Sequence, residues 1–159
     1  MTGKILAAFI VISAILAGFG IWYTQNYAYY AELAPNDPNA QLTLVPIGSD
    51  TPEEPGAKVV AAIDSDSSPI RFRGCYQIDT SLATLTETYQ SFDKAVPLNA
   101  PGWFDCYDAV AIGEALEKGE ALAFLAKPLV HPETDRVVAV FPDGRAYAWQ
   151  QLRAEETSE

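Results

Sequence analysis

Positive charge and soft metal ligands are both scarce in this sequence. Ten Lys and Arg residues stand against 21 Asp and Glu, which leaves a net charge of -11, and the chain has one His and one Met. A nucleic-acid-binding protein needs a basic stripe that displaces counterions from the phosphates, and the sequence contains no such stripe. The composition therefore predicts a protein that binds no nucleic acid and is repelled by anionic lipid headgroups.

Motifs of the common catalytic classes are missing as well. The sequence has no P-loop, no G-x-S-x-G, no H-E-x-x-H, no C-x-x-C pair and no C-x-x-C-H haem-attachment motif. An enzyme that uses carboxylates scattered along the chain is not excluded by these absences. We nevertheless expect a non-enzymatic protein without a cofactor, because no residue is nominated as catalytic.

One long apolar run contrasts with the acidic composition. Residues 5–23 carry no charge, and a helix needs about 20 apolar residues to cross a bilayer core of about 30 Å. Lys4 precedes the run and the next cation is Lys58, so the positive-inside rule predicts a cytoplasmic N-terminus and a periplasmic remainder. We expect a single-pass anchor in the inner (cytoplasmic) membrane. The alternative is a signal peptide cleaved after Gly20, although the run exceeds the usual signal core of about 7–15 residues.

Aromatic residues crowd the end of this run. Such rings favour the membrane interface, since their bodies are apolar while their NH or OH groups need water. Tyr23, Tyr27 and Tyr30 recur at helical spacing, on one face of a helix that Pro35 should end. We therefore predict an interfacial collar, with a docking face for a partner's transmembrane helices as the alternative. The collar residues are Trp22, Tyr23, Tyr27, Tyr29 and Tyr30.

Composition divides the chain into four predicted parts. Residues 1–33 form the anchor helix with its aromatic collar, and residues 34–41 form a tether rich in Pro and Asn. Residues 42–152 form a periplasmic α+β domain, and residues 153–159 form a flexible acidic tail.

Alternating apolar residues and turn residues predict the elements of the outer domain. Strands are expected over 42–47, 58–63, 70–78 and 121–126, followed by a hairpin of 136–141 with 145–152 around a Pro-Asp-Gly turn. A short helix is expected over 82–92, a second one over 106–119, and a loop over 127–135.

The predicted fold class is α+β, with an N-terminal transmembrane helix followed by a small antiparallel sheet that carries one or two helices on one face. Asp105 is the expected N-cap of the second helix. Tyr147 and Trp149 lie two residues apart and therefore share a face of the sheet, which we expect to be the core face.

Cys75 and Cys106 are the only cysteines. With the predicted topology they face an oxidising space, where an even pair of cysteines usually forms a disulfide. Two unpaired buried thiols, or a redox or metal pair, are the alternatives. Reactive dithiols are typically spaced C-x-x-C, unlike this pair. Copper prefers Cys, Met and His ligands, so a weak alternative is a metal site formed by the cysteines and His131.

Four stretches together resemble an uncharacterised family of short bacterial single-pass membrane proteins, known as a domain of unknown function. The resemblance covers nearly the whole chain and implies no activity, so it brings no catalytic residues. Cys75 and Cys106 stand inside its motif stretches, which suits a structural bridge. The stretches are "KILAAFIVISAILAGFGIWYTQNYAYY" (4–30), "RFRGCYQI" (71–78), "GWFDCYDA" (102–109) and "DRVVAVFPDGRAYAW" (135–149).

Two functional hypotheses follow. The favoured one is a membrane-anchored periplasmic domain that works by binding, as an accessory subunit or assembly and scaffold protein of a larger membrane protein complex. The bilayer and that complex are then its partners, and the sequence leaves open whether there is a small-molecule ligand. The alternative is a periplasmic thiol-redox or copper-handling module that uses Cys75 and Cys106, with His131 as a further ligand.

Overall fold

The computed structural model describes residues 2–153 of the chain. They divide into two compact units, the first ending at Tyr30 and the second beginning at Ala31. The predicted acidic tail lies outside the described residues, except for Arg153.

The first unit is helical. Helix α1 (Thr2–Tyr23) continues into one π-helical turn (Thr24–Ala28). The hydroxyl of Thr24 donates to the carbonyl of Ile21 at 3.0 Å, and side chains of this kind satisfy the carbonyls that lack a partner at the end of a helix. Because the helical backbone ends at Ala28, the prediction that the helix continues to Pro35 was wrong.

The second unit is built on one six-stranded antiparallel sheet with the strand order β1-β2-β3-β6-β5-β4. The predicted α+β class is confirmed, since two short helices accompany this sheet. The strands are β1 (Ala31–Glu32), β2 (Ala57–Asp64), β3 (Arg73–Ile78), β4 (Leu122–His131), β5 (Thr134–Val140) and β6 (Arg145–Leu152), and the helices are α2 (Leu82–Thr88) and α3 (Ala109–Glu117).

The larger hydrophobic core lies on one face of this sheet. The ring of Tyr76 lies over Gly74, where a Cβ would come within 2.6 Å of a ring carbon, so the glycine makes room for the ring. Ala146 on β6 lies between the larger Tyr76 on β3 and Val140 on β5, and such combinations of small and large side chains fill a layer at interior density. Its residues include Leu42, Leu44, Tyr76, Ile78, Leu85, Phe124, Val138, Val140, Ala146 and Ala148.

The opposite face is covered by a segment that begins near Lys94 and includes α3, since Lys94 and Val96 bond to Gln151 and Cys106 is joined to Cys75. Trp149 is fully buried on this face, and Tyr147 is half-buried and meets the ring of Tyr107 edge to face. Ile112 and Ala115 of α3 face the same cavity as Tyr147. Leu85 of α2 belongs instead to the larger core. The two helices therefore lie on opposite faces, and the prediction that they share one face was wrong.

The predictions for residues 42–47 and 127–135 need correction. Residues 42–47 form no strand; they make two isolated bridges, Leu44 with Glu53 and Pro46 with Tyr89, and the N–H of Val45 donates to the carbonyl of Leu125 at 3.0 Å. Residues 127–135 are no simple loop, because β4 runs on to His131 and pairs there with Thr134. The predicted hairpin of β5 and β6 is present, and Gly144 in its turn has a φ of 86°, which glycine adopts without strain.

Helix α3 begins at Ala109 rather than at Cys106. Its N-cap is Asp108, whose carboxylate accepts hydrogen bonds from the backbone N–H groups of Val110 and Ala111 at 3.0 and 3.1 Å. An acceptor at this position satisfies N–H groups that have no partner within the helix. The prediction of Asp105 as the cap was therefore wrong by one turn.

Candidate functional site

The two cysteines form a disulfide between the sheet and the segment that covers it. Cys75 on β3 is joined to Cys106 in the loop before α3, and their Cα atoms are 6.4 Å apart. Cys75 is 3% exposed, whereas Cys106 is half-buried. The bond fastens the covering segment to the middle of the sheet across a sequence separation of 31 residues.

Arg73 provides a second fastening beside this disulfide. Its side chain is buried, and its guanidinium donates to the carbonyls of Leu98 at 2.9 Å, Asn99 at 2.8 Å and Ile70 at 2.8 Å. The planar fork of an arginine can serve several carbonyls at once. Its guanidinium carbon also lies 5.8 Å from the centre of the Tyr107 ring. This buried charge therefore holds loops in place.

A second buried arginine lies on the other face of the sheet. Arg136 donates to the carbonyl of Asn39 at 2.8 Å, and its guanidinium lies 3.5 Å from the centre of the Phe72 ring. Burial lowers the pKa of Arg136 and raises the pKa of Tyr76. Among residues 2–153, neither Arg136 Nε nor the Tyr76 hydroxyl has a hydrogen-bond partner. Arg136 thus fastens the segment around Asn39 to the sheet.

The helical face predicted for Tyr23, Tyr27 and Tyr30 is interrupted, because the helical backbone ends at Ala28. Trp22 and Tyr23 end α1, and each packs on Tyr27 in the π-helical turn, with ring centres 5.4 and 6.0 Å apart. Phe19, which the sequence analysis did not single out, extends this stack, because its ring centre lies 5.7 Å from that of Trp22. Tyr29 and Tyr30 follow the helical turn, so Tyr30 does not continue the predicted face.

The helical unit carries an exposed apolar surface. Within residues Gly3–Ala28, the most apolar stretch of 18 residues has a mean hydropathy of 2.5, and none of that stretch is buried. By length and composition this helix is long and apolar enough for a membrane anchor or a signal sequence. The disulfide is the second indicator of location, since such bonds persist mainly in oxidising compartments.

His131 lies far from the cysteines. Strand pairing places Ala123 of β4 in the same row across the sheet as Cys75. His131 lies eight residues further along β4, at its exposed end. Within the described part of the chain, no group of three or more His, Cys, Asp and Glu side chains could hold a metal ion. The structure thus does not bring together the three ligands of the copper alternative.

A groove of about 390 Å³ opens next to Cys106 and is here named the Trp103 groove. One wall comes from the chain at β1, and the others come from β2 and from the loop before α3. Sequence patterns gave no sign of it, because its walls are distant in the chain. Its lining residues are Glu32, Leu33, Pro35, Val60, Ala61, Ala62, Trp103, Phe104, Asp105 and Cys106.

A second groove of about 320 Å³ lies on the α3 side of Cys106. Its lining mixes both signs of charge: Asp108 and Glu114 face it together with Lys118 and Arg145. Lys118 and Glu114 form a salt bridge with a distance of 3.1 Å between Nζ and Oε2. Glu120 also lines it, so three carboxylates lie among two cations, and this groove presents no single sign to a ligand.

These features define an α+β domain with a six-stranded antiparallel sheet, a covering layer on each face and one disulfide between sheet and layer. The chain belongs to a family of unknown function (DUF6446), which it matches over residues 42–158. The predicted family of unknown function is thereby confirmed, while its bacterial and membrane-anchored character stays a prediction. Neither a curated protein nor a solved structure matches the chain.

Proposed function

We propose that this protein is a single-pass protein of the inner (cytoplasmic) membrane whose periplasmic domain works by binding, as a non-enzymatic accessory subunit or assembly factor of a larger membrane protein complex. The observation that carries this proposal is the exposed apolar helix of the first unit. Its side chains, such as Phe9 at 68% exposure, require a bilayer or an apolar partner around them.

Two further features support the orientation and the depth of this helix. The N-terminal Lys4 is the only cation before Lys58, which favours a cytoplasmic N-terminus. The stack of Phe19, Trp22, Tyr23 and Tyr27 lies at the opposite end of the helix, and aromatic rings are enriched where a helix leaves the hydrocarbon core.

The interior of the domain supports a binding role. Buried Arg73 and Arg136 hold loops to the sheet through backbone carbonyls. Asp135, also buried, accepts from Arg153 at 2.8 Å and from the backbone N–H of Leu129 at 2.8 Å. The buried charges therefore serve the architecture, and the surface grooves and exposed side chains are what a partner meets.

The association is tested by crosslinking mass spectrometry on native membranes that contain the full chain. Lys58, Lys94, Lys118 and Lys127 are exposed and give an amine-reactive crosslinker four positions on the domain. We expect repeated crosslinks from these lysines to the same larger integral membrane protein. Recovery of the chain alone from such membranes, in replicate preparations, would overturn the accessory role.

The topology is tested by thiol labelling in spheroplasts. Thr51→Cys lies on an exposed loop, and Gly3→Cys has open space around its Cβ. We expect a membrane-impermeant maleimide to label Thr51→Cys directly and Gly3→Cys only after permeabilisation. The opposite result would reverse the orientation. The intact mass distinguishes the two kinds of helix, because a chain that retains its helix has a mass of 17.3 kDa and a cleaved one is lighter.

A thiol-redox module is the second candidate, and the half-buried position of Cys106 next to two grooves favours it. Its test is the reduction potential of the Cys75–Cys106 pair in equilibrium with a thiol buffer. Structural disulfides typically have potentials below about -300 mV, whereas catalytic ones are more oxidising. A potential below that range would remove the redox candidate.

A further inference from the structure

The Trp103 groove exists because β1 ends early. β1 pairs only with Ile63 and Asp64 of β2, and the N–H of Leu33 adds one more hydrogen bond, to the carbonyl of Ala62 at 2.8 Å. β2 begins six residues earlier along the chain than Ile63, at Ala57. Within residues 2–153, no strand pairs with the outer edge of that earlier part of β2. The groove is the slot beside this edge.

The edge is poorly suited to the addition of a long strand. The register of β2 against β3 shifts between Val59 and Ala61, so Val60 sits in a bulge and is 58% exposed. Bulges and edge lysines such as Lys58 are features that discourage strand pairing between molecules. A partner in this slot is therefore recognised by its side chains more than by its backbone.

The lining of the groove combines apolar surface with one sign of charge. Val60, Leu33 and half-buried Trp103 offer the apolar part. Glu32 and Asp105 are its only charged residues; both are exposed, and neither is in a salt bridge with the described residues. Aromatic residues are enriched among those that dominate binding energy at interfaces, and complementary charge contributes specificity and speeds association.

We propose that the Trp103 groove binds a short extended segment of a partner protein in which one apolar side chain is flanked by Lys or Arg. The apolar side chain packs between Val60 and Trp103, and the flanking cations pair with Glu32 and Asp105. This inference rests on the proposed binding function and names the surface that performs it. The second groove next to Cys106 is a weaker candidate for such a segment because Lys118 and Arg145 lie among its carboxylates and would repel the cations of the segment.

Direct binding is measured with the full chain in detergent micelles and two fluorescent synthetic peptides. One peptide carries a leucine between two lysines, and the other carries the same leucine between two glutamates. We expect saturable binding of the lysine peptide alone. Equal binding of both peptides, or no saturable binding of the lysine peptide up to about 1 mM, would overturn the inference.

Variants then locate the peptide. Glu32→Gln together with Asp105→Gln should raise the Kd about fivefold, the size expected from two exposed ion pairs. Val60→Gln should also weaken binding. Val110→Gln is its matched control, because Val110 is 67% exposed on α3 outside the groove, and it should leave the Kd unchanged. A similar loss of affinity in both valine variants would show that the peptide does not bind in the Trp103 groove and would overturn the inference.

Photo-crosslinking in native membranes separates this inference from the proposed function. A photoreactive amino acid replaces Val60 in one chain and Tyr29 of the collar in another. An adduct at Val60 whose partner peptide has the apolar and cationic pattern supports the groove. Adducts at Tyr29 only would support the accessory role and overturn the proposed binding in the Trp103 groove. A Val60 adduct to a second copy of this chain, or to a peptide without that pattern, would have the same consequence. Absence of adducts at both positions would overturn both proposals.

Discussion

The indole Nε1 of Trp149 donates a hydrogen bond to the side-chain oxygen of Gln151 at 2.9 Å, inside the layer between the sheet and the segment that covers it. The same oxygen accepts from the backbone N–H of Val96 at 2.8 Å, and the amide nitrogen of Gln151 donates to the carbonyl of Lys94 at 2.9 Å. Residues two apart on a strand share a face. The side chain of Gln151 is therefore a hydrogen-bond partner both for Trp149 on β6 and for the backbone of the covering loop.

We predict that Gln151→Leu lowers the free energy of unfolding by about 2–4 kcal/mol, because it leaves the buried indole N–H of Trp149 and two partly buried backbone groups without these partners. Urea unfolding of the full chain in micelles, followed by near-ultraviolet circular dichroism, measures the change. Gln77→Leu is the control, since half-buried Gln77 donates one hydrogen bond, to the carbonyl of Asp143 at 3.0 Å. We expect it to cost less than about 1 kcal/mol. Equal losses in the two variants would contradict this account.

Loss of the disulfide should destabilise the fold by a predictable amount. Closing a loop of about 30 residues restricts the unfolded chain and stabilises the native state by about 3–4 kcal/mol in the chain-entropy model. We expect the double variant Cys75→Ala/Cys106→Ala to lose this amount in urea unfolding. The control is reductant, which should lower the stability of the natural chain by a similar amount and leave the variant unchanged. A variant as stable as the oxidised natural chain would refute the prediction.

Removal of one buried hydroxyl should cost nothing. The Tyr76 hydroxyl is buried and lacks a hydrogen-bond partner among the described residues, so Tyr76→Phe removes a desolvated polar group while the ring remains. We expect stability to stay the same or to rise by up to about 1 kcal/mol. Tyr89→Phe is the control, because the Tyr89 hydroxyl donates to Glu53 at 3.1 Å, and its removal should cost about 0.5–1.5 kcal/mol. A marked loss in Tyr76→Phe would show that its hydroxyl has a favourable partner.

The stability of the domain should fall at alkaline pH. Burial raises the pKa of both Tyr76 and Tyr107, while a tyrosine in the unfolded chain titrates near pH 10. Above about pH 10 the unfolded chain therefore binds fewer protons than the folded one, and the free energy of unfolding decreases as pH rises. Urea unfolding between pH 9 and about 11.5 measures the slope. The double variant Tyr76→Phe/Tyr107→Phe should show a shallower slope, and an identical slope would exclude these two groups as its source.

The β5–β6 hairpin was predictable because its signals are local. Alternating apolar residues and a Pro-Asp-Gly turn specify a hairpin without reference to the rest of the chain. The same alternation misled at residues 42–47, where Leu42 and Leu44 are buried in the larger core although no strand forms. Apolar residues at every second position indicate that one side of an extended segment is buried. They do not indicate whether a neighbouring strand is available for pairing.

The length of β4 and the Trp103 groove illustrate what local patterns miss. Pro128 favoured a loop, but it lies on an edge strand of the sheet, where a residue without an N–H is tolerated. The groove joins Leu33, Val60 and Trp103, and their proximity depends on the order of strands in the sheet. The cysteine pair was easier to anticipate, because two cysteines in an oxidising space allow only one bridge within the chain.

Asp105 and Asp108 lie on either side of Cys106, and substituting each in turn tests which of them caps α3. The Asp108 carboxylate accepts from two N–H groups of the first helical turn, so Asp108→Ala should lower the free energy of unfolding by about 1 kcal/mol, as the loss of an N-cap typically does. Asp105→Ala is the matched control in the same loop and should change stability by less than about 0.5 kcal/mol, because Asp105 is an exposed surface residue. The peptide assay should respond in the opposite order, because Asp105 lines the Trp103 groove and Asp108 does not. A loss of stability in Asp105→Ala would instead indicate that Asp105 caps the helix, as the sequence predicted. The Asp105 carboxylate would then be engaged in the fold and would not bind a partner.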